Sequence, residues 1–372
     1  MKNLKIAFTG GGSGGHLMPI IAVARELRRL HQKDNLSLHY IGPSDTMVRA
    51  LLAPEGMIIH PTAGGKIRKY FSLENSIDIA FKIPAGFLQS LFILLFTRPK
   101  LLFCKGGTGS AATGFAARVL GIPVFVHESD AEPGSSNKLV SAFAKKIFIS
   151  FPKTEFFSPA KTTLTGNPIK KELLEGSMAD ARELFNLTLQ KPVLLFMGGS
   201  QGAEAINDFV LSALNGMLER YEVLHVTGRK HFERVNKEAE AVLDKNMAAY
   251  YHPKYELSEV EMRHAMAAAS IIISRAGSGH IFEIAACGKP SILVPLPGHQ
   301  SKNAYQYAAT GAAMVIEQEN LSPNFFTGKI NYLLENPGKV EGMQQAALAF
   351  AKPLAAKTIA REILEYLEDE KK

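Results

Sequence analysis

Apolar and polar positions along this chain follow two alternating patterns. Short, wholly apolar runs stop abruptly at glycines, and small and apolar residues at helical spacing follow each stop. Lys5–Thr9, Leu101–Cys104 and Val193–Met197 lead in this way into the turns Gly10–His16, Gly106–Ser110 and Gly198–Ala203. Such a run, with almost no polar face, is what a strand covered on both sides of a parallel sheet requires. After the first turn, Leu17–Leu30 sets its apolar residues on one face and turns Arg25, Arg28 and Arg29 outward, which predicts an amphipathic helix.

The same grammar continues. Leu36–Ile41, Val124–Val126, Val223–Val226, Ile271–Ile273 and Ser291–Val294 read as further strands. Ala111–Leu120 and residues 203–219, 258–269 and 278–287 read as helices. Strands alternating with helices predict an α/β fold with mostly parallel sheets covered on both faces. Three glycine turns of one kind, two in the first third and one opening the second half, predict two Rossmann-like domains. Gly166–Pro168 is the natural boundary, since proline restricts the residue before it and ends regular structure. The expected domains are 1–167 and 168–352, with a C-terminal helix in 353–372.

One segment departs from the pattern. Within Ser76–Phe96, the stretch from Ala85 is apolar nearly all round a helix and reads as too short to span a bilayer. Lys66, Arg68, Lys69 and Lys82 precede it, and Arg98 and Lys100 follow. Two readings are open, and both can hold for different faces: a core helix packed on the sheet, and a partly exposed patch with a basic rim suited to an anionic membrane surface.

Composition narrows the class. A length of 372 residues is natural for two domains, and 46% hydrophobic with 21% charged residues excludes disorder. The two cysteines, Cys104 and Cys287, each lie inside an apolar element, against a disulfide framework or a zinc site. The basic start runs into glycines too soon for a signal peptide, so a cytoplasmic protein is expected. A net charge of +7 calls for an anionic partner: nucleic acid, anionic lipid or a phosphorylated substrate.

The glycine turns carry the chemistry. Glycine lets the backbone approach an anion, and a helix start offers it unpaired N–H groups. Gly10, Gly12 and Gly15 fit the spacing of a dinucleotide fingerprint, but that motif needs an acid closing the second strand. Here the strand ends Tyr40–Gly42, with Asp45 only later in a turn, which weighs against a nicotinamide-dependent oxidoreductase. His16, at the mouth of the first helix, reads either as a general base working as a neutral imidazole or as a helix-capping residue. Between Ser274 and Tyr307, Gly277–Gly279 forms another anion-binding turn that opens a helix. Glu283 stands one turn further on, placed to accept both hydroxyls of a ribose, with His299, Gln300 and Asn303 as uncharged partners for a sugar. No Asp-x-Asp pair occurs, so a metal–diphosphate clamp of that type has no ligands. Neither metal nor cofactor is expected, and helix ends with basic side chains are left to neutralise a leaving diphosphate.

In order, the chain carries Gly10–His16 with Pro19, Lys105–Gly107, His127–Glu128, Gly166–Pro168, Gly198–Gly202 and the 274–304 block. This ordered set resembles the MurG family, the bacterial UDP-N-acetylglucosamine:lipid I N-acetylglucosaminyltransferases, of the two-Rossmann-domain glycosyltransferase (GT-B) class, over essentially the whole length. The resemblance implies two parallel sheets facing a central cleft, and a C-terminal helix, about Pro353–Glu368, that packs back on the first domain. It implies inverting transfer of GlcNAc from UDP-GlcNAc to the 4-hydroxyl of MurNAc in lipid I, the undecaprenyl-diphosphate-MurNAc-pentapeptide, giving lipid II for peptidoglycan. The first domain would take lipid I and touch the cytoplasmic face of the plasma membrane; the second would take the nucleotide.

By the same resemblance Ser13, Gly14 and Gly15 line the cleft, and His16, Asp130 and Glu128 are the candidates for the base. Gly14, Gly15, Gly106, Gly107 and Thr108 would meet the acceptor diphosphate. Ser13, Gly14, Gly15, Asp130, Lys170, Ser200, Ser278, Gly279, His280, Glu283, Gln300 and Asn303 would bind UDP-GlcNAc, with Glu283 on the ribose and Gln300 and Asn303 on the donor sugar. Asp130 stands where many relatives have asparagine, Lys170 where many have arginine, and His299 where glutamine is frequent. Lysine keeps the charge but loses the two-pronged geometry. The expected partners are UDP-GlcNAc, lipid I and the anionic cytoplasmic membrane surface, not nucleic acid. The competing readings are a UDP-GlcNAc 2-epimerase of the same architecture and a membrane-associated nucleotide-binding scaffold.

Overall fold

The computed structural model describes residues 3–33, 35–65, 78–152, 156–199 and 203–370. The chain divides into two compact units, Met1–Lys170 with Lys352–Lys372, and Lys171–Ala351.

In the first unit, seven strands form one sheet: β1 (Leu4–Thr9), β2 (Leu36–Gly42), β3 (Ile58–Pro61), β4 (Leu101–Cys104), β5 (Val124–Glu128), β6 (Lys146–Ile149) and β7 (Thr162–Leu164). They lie in the order β3-β2-β1-β4-β5-β6-β7, every neighbouring pair parallel. The connecting helices are α1 (Gly14–Leu30), α2 (Thr46–Leu52), α3 (Ile83–Thr97), α4 (Ser110–Val119) and α5 (Ser135–Ser141). Strand side chains alternate between two cores. Leu101 and Phe103 of β4 join Ile20, Val23 and Leu27 of α1, while Leu102 and Cys104 join Leu94, Ala116 and Val140 of α3, α4 and α5. That two-sided burial is why β4 is apolar on both faces.

The second unit repeats the plan with β8 (Val193–Met197), β9 (Glu222–Val226), β10 (Tyr251–Lys254), β11 (Ile271–Ser274), β12 (Ser291–Leu293) and β13 (Ala313–Val315). Their order is β10-β9-β8-β11-β12-β13, again wholly parallel. Its helices are α6 (Met178–Phe185), α7 (Glu204–Leu218), α8 (Phe232–Val242), α9 (Glu259–Ala268), α10 (Ser278–Ala286), α11 (His299–Ala308), α12 (Pro323–Leu334) and α13 (Pro337–Phe350). In both sheets the strand order reverses beside the first strand, between β1 and β4 and between β8 and β11. The loops leaving those strands part to opposite faces there, and open α/β sheets bind their ligands at that point.

The C-terminal helix, Ala355–Asp369, belongs to the first unit. Ala356, Ile359, Ala360, Ile363 and Leu367 are buried in the core that α1 also lines. Tyr366 meets Phe125 edge-on at 5.1 Å, and Glu362 pairs with Lys146.

Helix α3 changes the picture in two ways. It packs one face on the core of the first unit, with Gly86, Ser90 and Leu94 buried, and presents the other outward, where Leu88, Phe92, Leu95 and Phe96 are 45–78% exposed. The three buried residues sit four apart on one stripe, and Ser90 Oγ lies 2.9 Å from Thr113 Oγ1 of α4. It is also not too short, since Ala80–Thr97 has the length and composition to cross a membrane. The buried stripe on α4 holds it against the first unit instead. Lys66, Arg68 and Lys69 lie outside the described residues.

Candidate active site

In the first unit the switch point is built from two turns in contact. The Gly11 N–H donates to the Gly106 carbonyl (2.9 Å), and Lys105 N–H to Thr9 (2.8 Å). A Cβ on Gly11 would lie 2.2 Å from the Thr108 nitrogen, so only glycine allows this approach. Gly107, at φ +86°, lies beside His16, whose Cε1 would be 3.0 Å from a Cβ there. Tyr40, fully buried near the end of β2, donates its hydroxyl to the Gly10 carbonyl (2.6 Å) and ties down the first glycine turn. Ser13 precedes α1, and its Oγ lies 2.8 Å from His16 Nδ1, which fixes the half-buried ring at the third position of the helix. His16 is therefore held by the residue that opens the helix.

The carboxylate candidates differ sharply. Glu128 is 4% exposed and accepts from Asp130 N–H (2.9 Å), Gly134 N–H (3.1 Å) and Asn137 Nδ2 (2.9 Å). Burial pushes its carboxyl up, opposed by the ammonium of Lys105. Asp130 is half-buried at the start of the loop that Glu128 braces. His127 is wholly buried and driven well below its usual range by that burial, and its Nε2–H donates to the Gly166 carbonyl (3.1 Å). Ser129 donates to Asn167 Oδ1 (2.8 Å), so the His127–Ser129 segment pins Gly166–Pro168 in place.

The second unit differs at its switch point. Among the described residues, a Cβ on Gly277 or Gly279 would meet nothing within 4 Å, and one on Gly199 would meet His280 Cε1 at 3.9 Å. Helix α10 starts at Ser278 without a side-chain cap among the described residues, so its first N–H groups are of the kind that can receive an anion. His280 Nδ1 lies 3.1 Å from Ser274 Oγ. Arg275, 7% exposed, is spent on structure, donating to the Val294 carbonyl (3.1 Å) and Gln318 Oε1 (2.7 Å). Glu283 is half-buried one turn into α10.

Glycosyltransferase family 28 accounts for both halves: its N-terminal domain matches residues 6–149 and its C-terminal domain residues 193–359. The chain is 36% identical over 335 residues to the UDP-N-acetylglucosamine–N-acetylmuramyl-(pentapeptide) pyrophosphoryl-undecaprenol N-acetylglucosamine transferase of Clostridium kluyveri, covering 88% of this chain and 91% of that one. The chain belongs to glycosyltransferase family 28. Among solved structures, Acinetobacter baumannii MurG is similar with a TM-score of 0.73 at 24% identity, covering 97% of this chain and 99% of that one. The UDP-GlcNAc 2-epimerase of Neisseria meningitidis, bound to UDP-GlcNAc, gives 0.71 at 16% identity, covering 97% and 100%. These two likenesses establish the shared fold.

Against that family frame, the anticipated residues fall into two groups. Ser13, Gly14, Gly15, His16, Gly106, Gly107, Thr108, Glu128 and Asp130 gather at the switch point of the first unit, where Lys170 is the last residue before the division. Ser278, Gly279, His280 and Glu283 gather at that of the second. Gln300 accepts from the Leu296 N–H (3.1 Å), and Asn303, fully buried, donates to the Ala276 carbonyl (3.3 Å), so both brace the neighbouring loops. Ser200 lies outside the described residues. Lys105 went unforeseen: it is 2% exposed, burial lowers its pKa against the pull of Glu128 and Asp130, and its ammonium has no hydrogen bond among the described residues. Its signal in the sequence is a lone lysine between a wholly apolar strand and a glycine turn.

Proposed function

We propose that this enzyme transfers GlcNAc from UDP-GlcNAc to the 4-hydroxyl of MurNAc in lipid I, with inversion, releasing UDP and giving lipid II. The similarity to a transferase of that name across nine-tenths of both chains carries this reading. The acceptor oxygen bonds to the anomeric carbon as the bond to the diphosphate breaks. The hydroxyl proton passes to a base, and UDP leaves with the electron pair.

His16 is the base in this reading, with Asp130 as its rival. Glu128, its oxygens already engaged by three N–H donors, supports the loop that carries Asp130. Gly14, Gly15, Gly106, Gly107 and Thr108 take the acceptor diphosphate. The uncapped start of α10, with Ser278, Gly279 and His280, takes the UDP diphosphate, Glu283 the ribose, and Gln300, Asn303, Lys170 and Ser200 complete the donor site. The exposed face of α3, with Lys82, Arg98 and Lys100 near its ends, rests on the anionic cytoplasmic face of the membrane. Liposome co-sedimentation that rises with anionic lipid and falls with salt supports that docking, and equal binding to neutral vesicles overturns it.

The deciding assay incubates the protein with UDP-GlcNAc and a short-chain lipid I analogue. UDP and the disaccharide product should appear together and in equal amounts. Conversion of UDP-GlcNAc to an isomer without acceptor would instead establish the epimerase.

A further inference from the structure

His280 has a chemistry that the donor reading does not require. Its ring stands at the third position of α10, with Cε1 turned to the Gly198–Gly199 turn, so it lies between the two glycine turns of the second switch point. Ser274 Oγ donates its own hydrogen to the Arg275 carbonyl (3.0 Å), which leaves it an acceptor toward His280 Nδ1 (3.1 Å). With the serine hydrogen on that carbonyl, Nδ1 carries the ring's hydrogen, and a neutral ring leaves Nε2 as a bare lone pair. Burial holds His280 below the usual histidine range, so that neutral form is the resting one. No charged group contributes to that depression: not Arg275 on the adjoining strand end, Glu283 on the same helix, Glu204 at the start of α7, or His299 and Lys302 on α11. A lone pair facing a phosphate oxygen is repulsive. A proton on Nε2 turns the same contact into a charge-assisted hydrogen bond.

We propose that His280 takes up one proton as the donor diphosphate settles between these turns, so that binding of the sugar nucleotide is proton-linked. This rests on the donor reading of the second unit. The bound anion raises the His280 pKa above its value in the empty site. The contribution to affinity is therefore full below the empty-site pKa and is lost as pH rises through the bound-state pKa, with Kd rising at most about tenfold per pH unit in between. The serine and histidine thus act as a charge that exists only when it is needed.

Calorimetry of UDP-GlcNAc binding in buffers of different ionisation enthalpy tests this directly, because the esterified diphosphate has no proton of its own titrating near neutrality. Wild-type enzyme should show net proton uptake approaching one at pH 7, with Kd rising toward higher pH. His280→Gln should bind more weakly at low pH, with no uptake and a flat pH dependence. Ser274→Ala, which frees the tautomer, should reduce the uptake without abolishing binding. Binding by wild-type enzyme without proton exchange overturns the proposal and leaves the donor site standing, as does uptake that persists in His280→Gln. Failure of UDP-GlcNAc to bind wild-type enzyme at all overturns the donor reading itself.

Discussion

The two switch points share a strand order and a histidine held by serine at the third position of a helix, yet some of their glycines meet very different surroundings. In the first unit, Gly11 and Gly107 are glycines because another backbone is already there: Thr108 nitrogen and the Gly11 Cα leave no room for a Cβ. In the second, a Cβ on Gly277 or Gly279 would meet no described residue within 4 Å, as is also true of Gly12 in the first turn. The first switch point thus joins close backbone contact at Gly11 and Gly107 to an open Gly12, while Gly277 and Gly279 are both open. A glycine-rich turn therefore marks either a close backbone contact or a binding surface, and only the neighbours distinguish the two.

The strongest way to break this comparison is through the histidines. His16→Ala should lower kcat by about 10²–10⁴-fold, the usual worth of a positioned base, while UDP-GlcNAc affinity is largely kept. Near-normal turnover in His16→Ala, with turnover abolished in Asp130→Asn, moves the role to Asp130. The glycines come next. Gly11→Ala should cost about 3 kcal/mol or more, because the obstructing atoms are backbone and cannot rotate away. Gly277→Ala, at φ −65° and in open space, should stay within about 0.5 kcal/mol of wild type in urea unfolding followed by circular dichroism, yet raise the KM for UDP-GlcNAc. Equal stability losses at the two positions would erase the distinction drawn here. Glu283→Ala should weaken UDP-GlcNAc binding by about 1–3 kcal/mol in calorimetry, with folding little changed. The smallest effect is expected from excess chelator, since helix ends and turn amides carry the diphosphate charge in this reading. Loss of turnover that manganese or magnesium restores would reject that account.

Much of this was legible in the residues, for a physical reason. A strand buried on both faces has to be wholly apolar, and a turn at a switch point has to be small, so Val193–Met197 followed by Gly198 announces itself. Edge strands carry neither signal. β3 and β7 run only four and three residues and expose Ile58 and Leu164, which makes them indistinguishable from loop in the sequence. Helix α3 left two readings open because apolar content alone does not say whether a side chain faces a core or the outside. Lys105 was missed because burial of a lysine is a property of its neighbours. Gln300 and Asn303 lie on α11, but which groups they bond is set by the backbone of residues 276 and 296, which no local pattern encodes.

The C-terminal helix has a consequence for how the protein comes into being. The face of α1 that Ile359, Ile363 and Leu367 cover is made at the start of synthesis, and its cover is made last, with the whole second unit between them in sequence. A pairing so remote along the chain is slow to close, and until it closes an apolar surface stands open. The second unit carries no such debt, since all of its sheet and helices fall within one continuous stretch. The enzyme's first half should thus mature after its second, and any ribosome that stops short of Ala355 releases a first unit with an unfinished core.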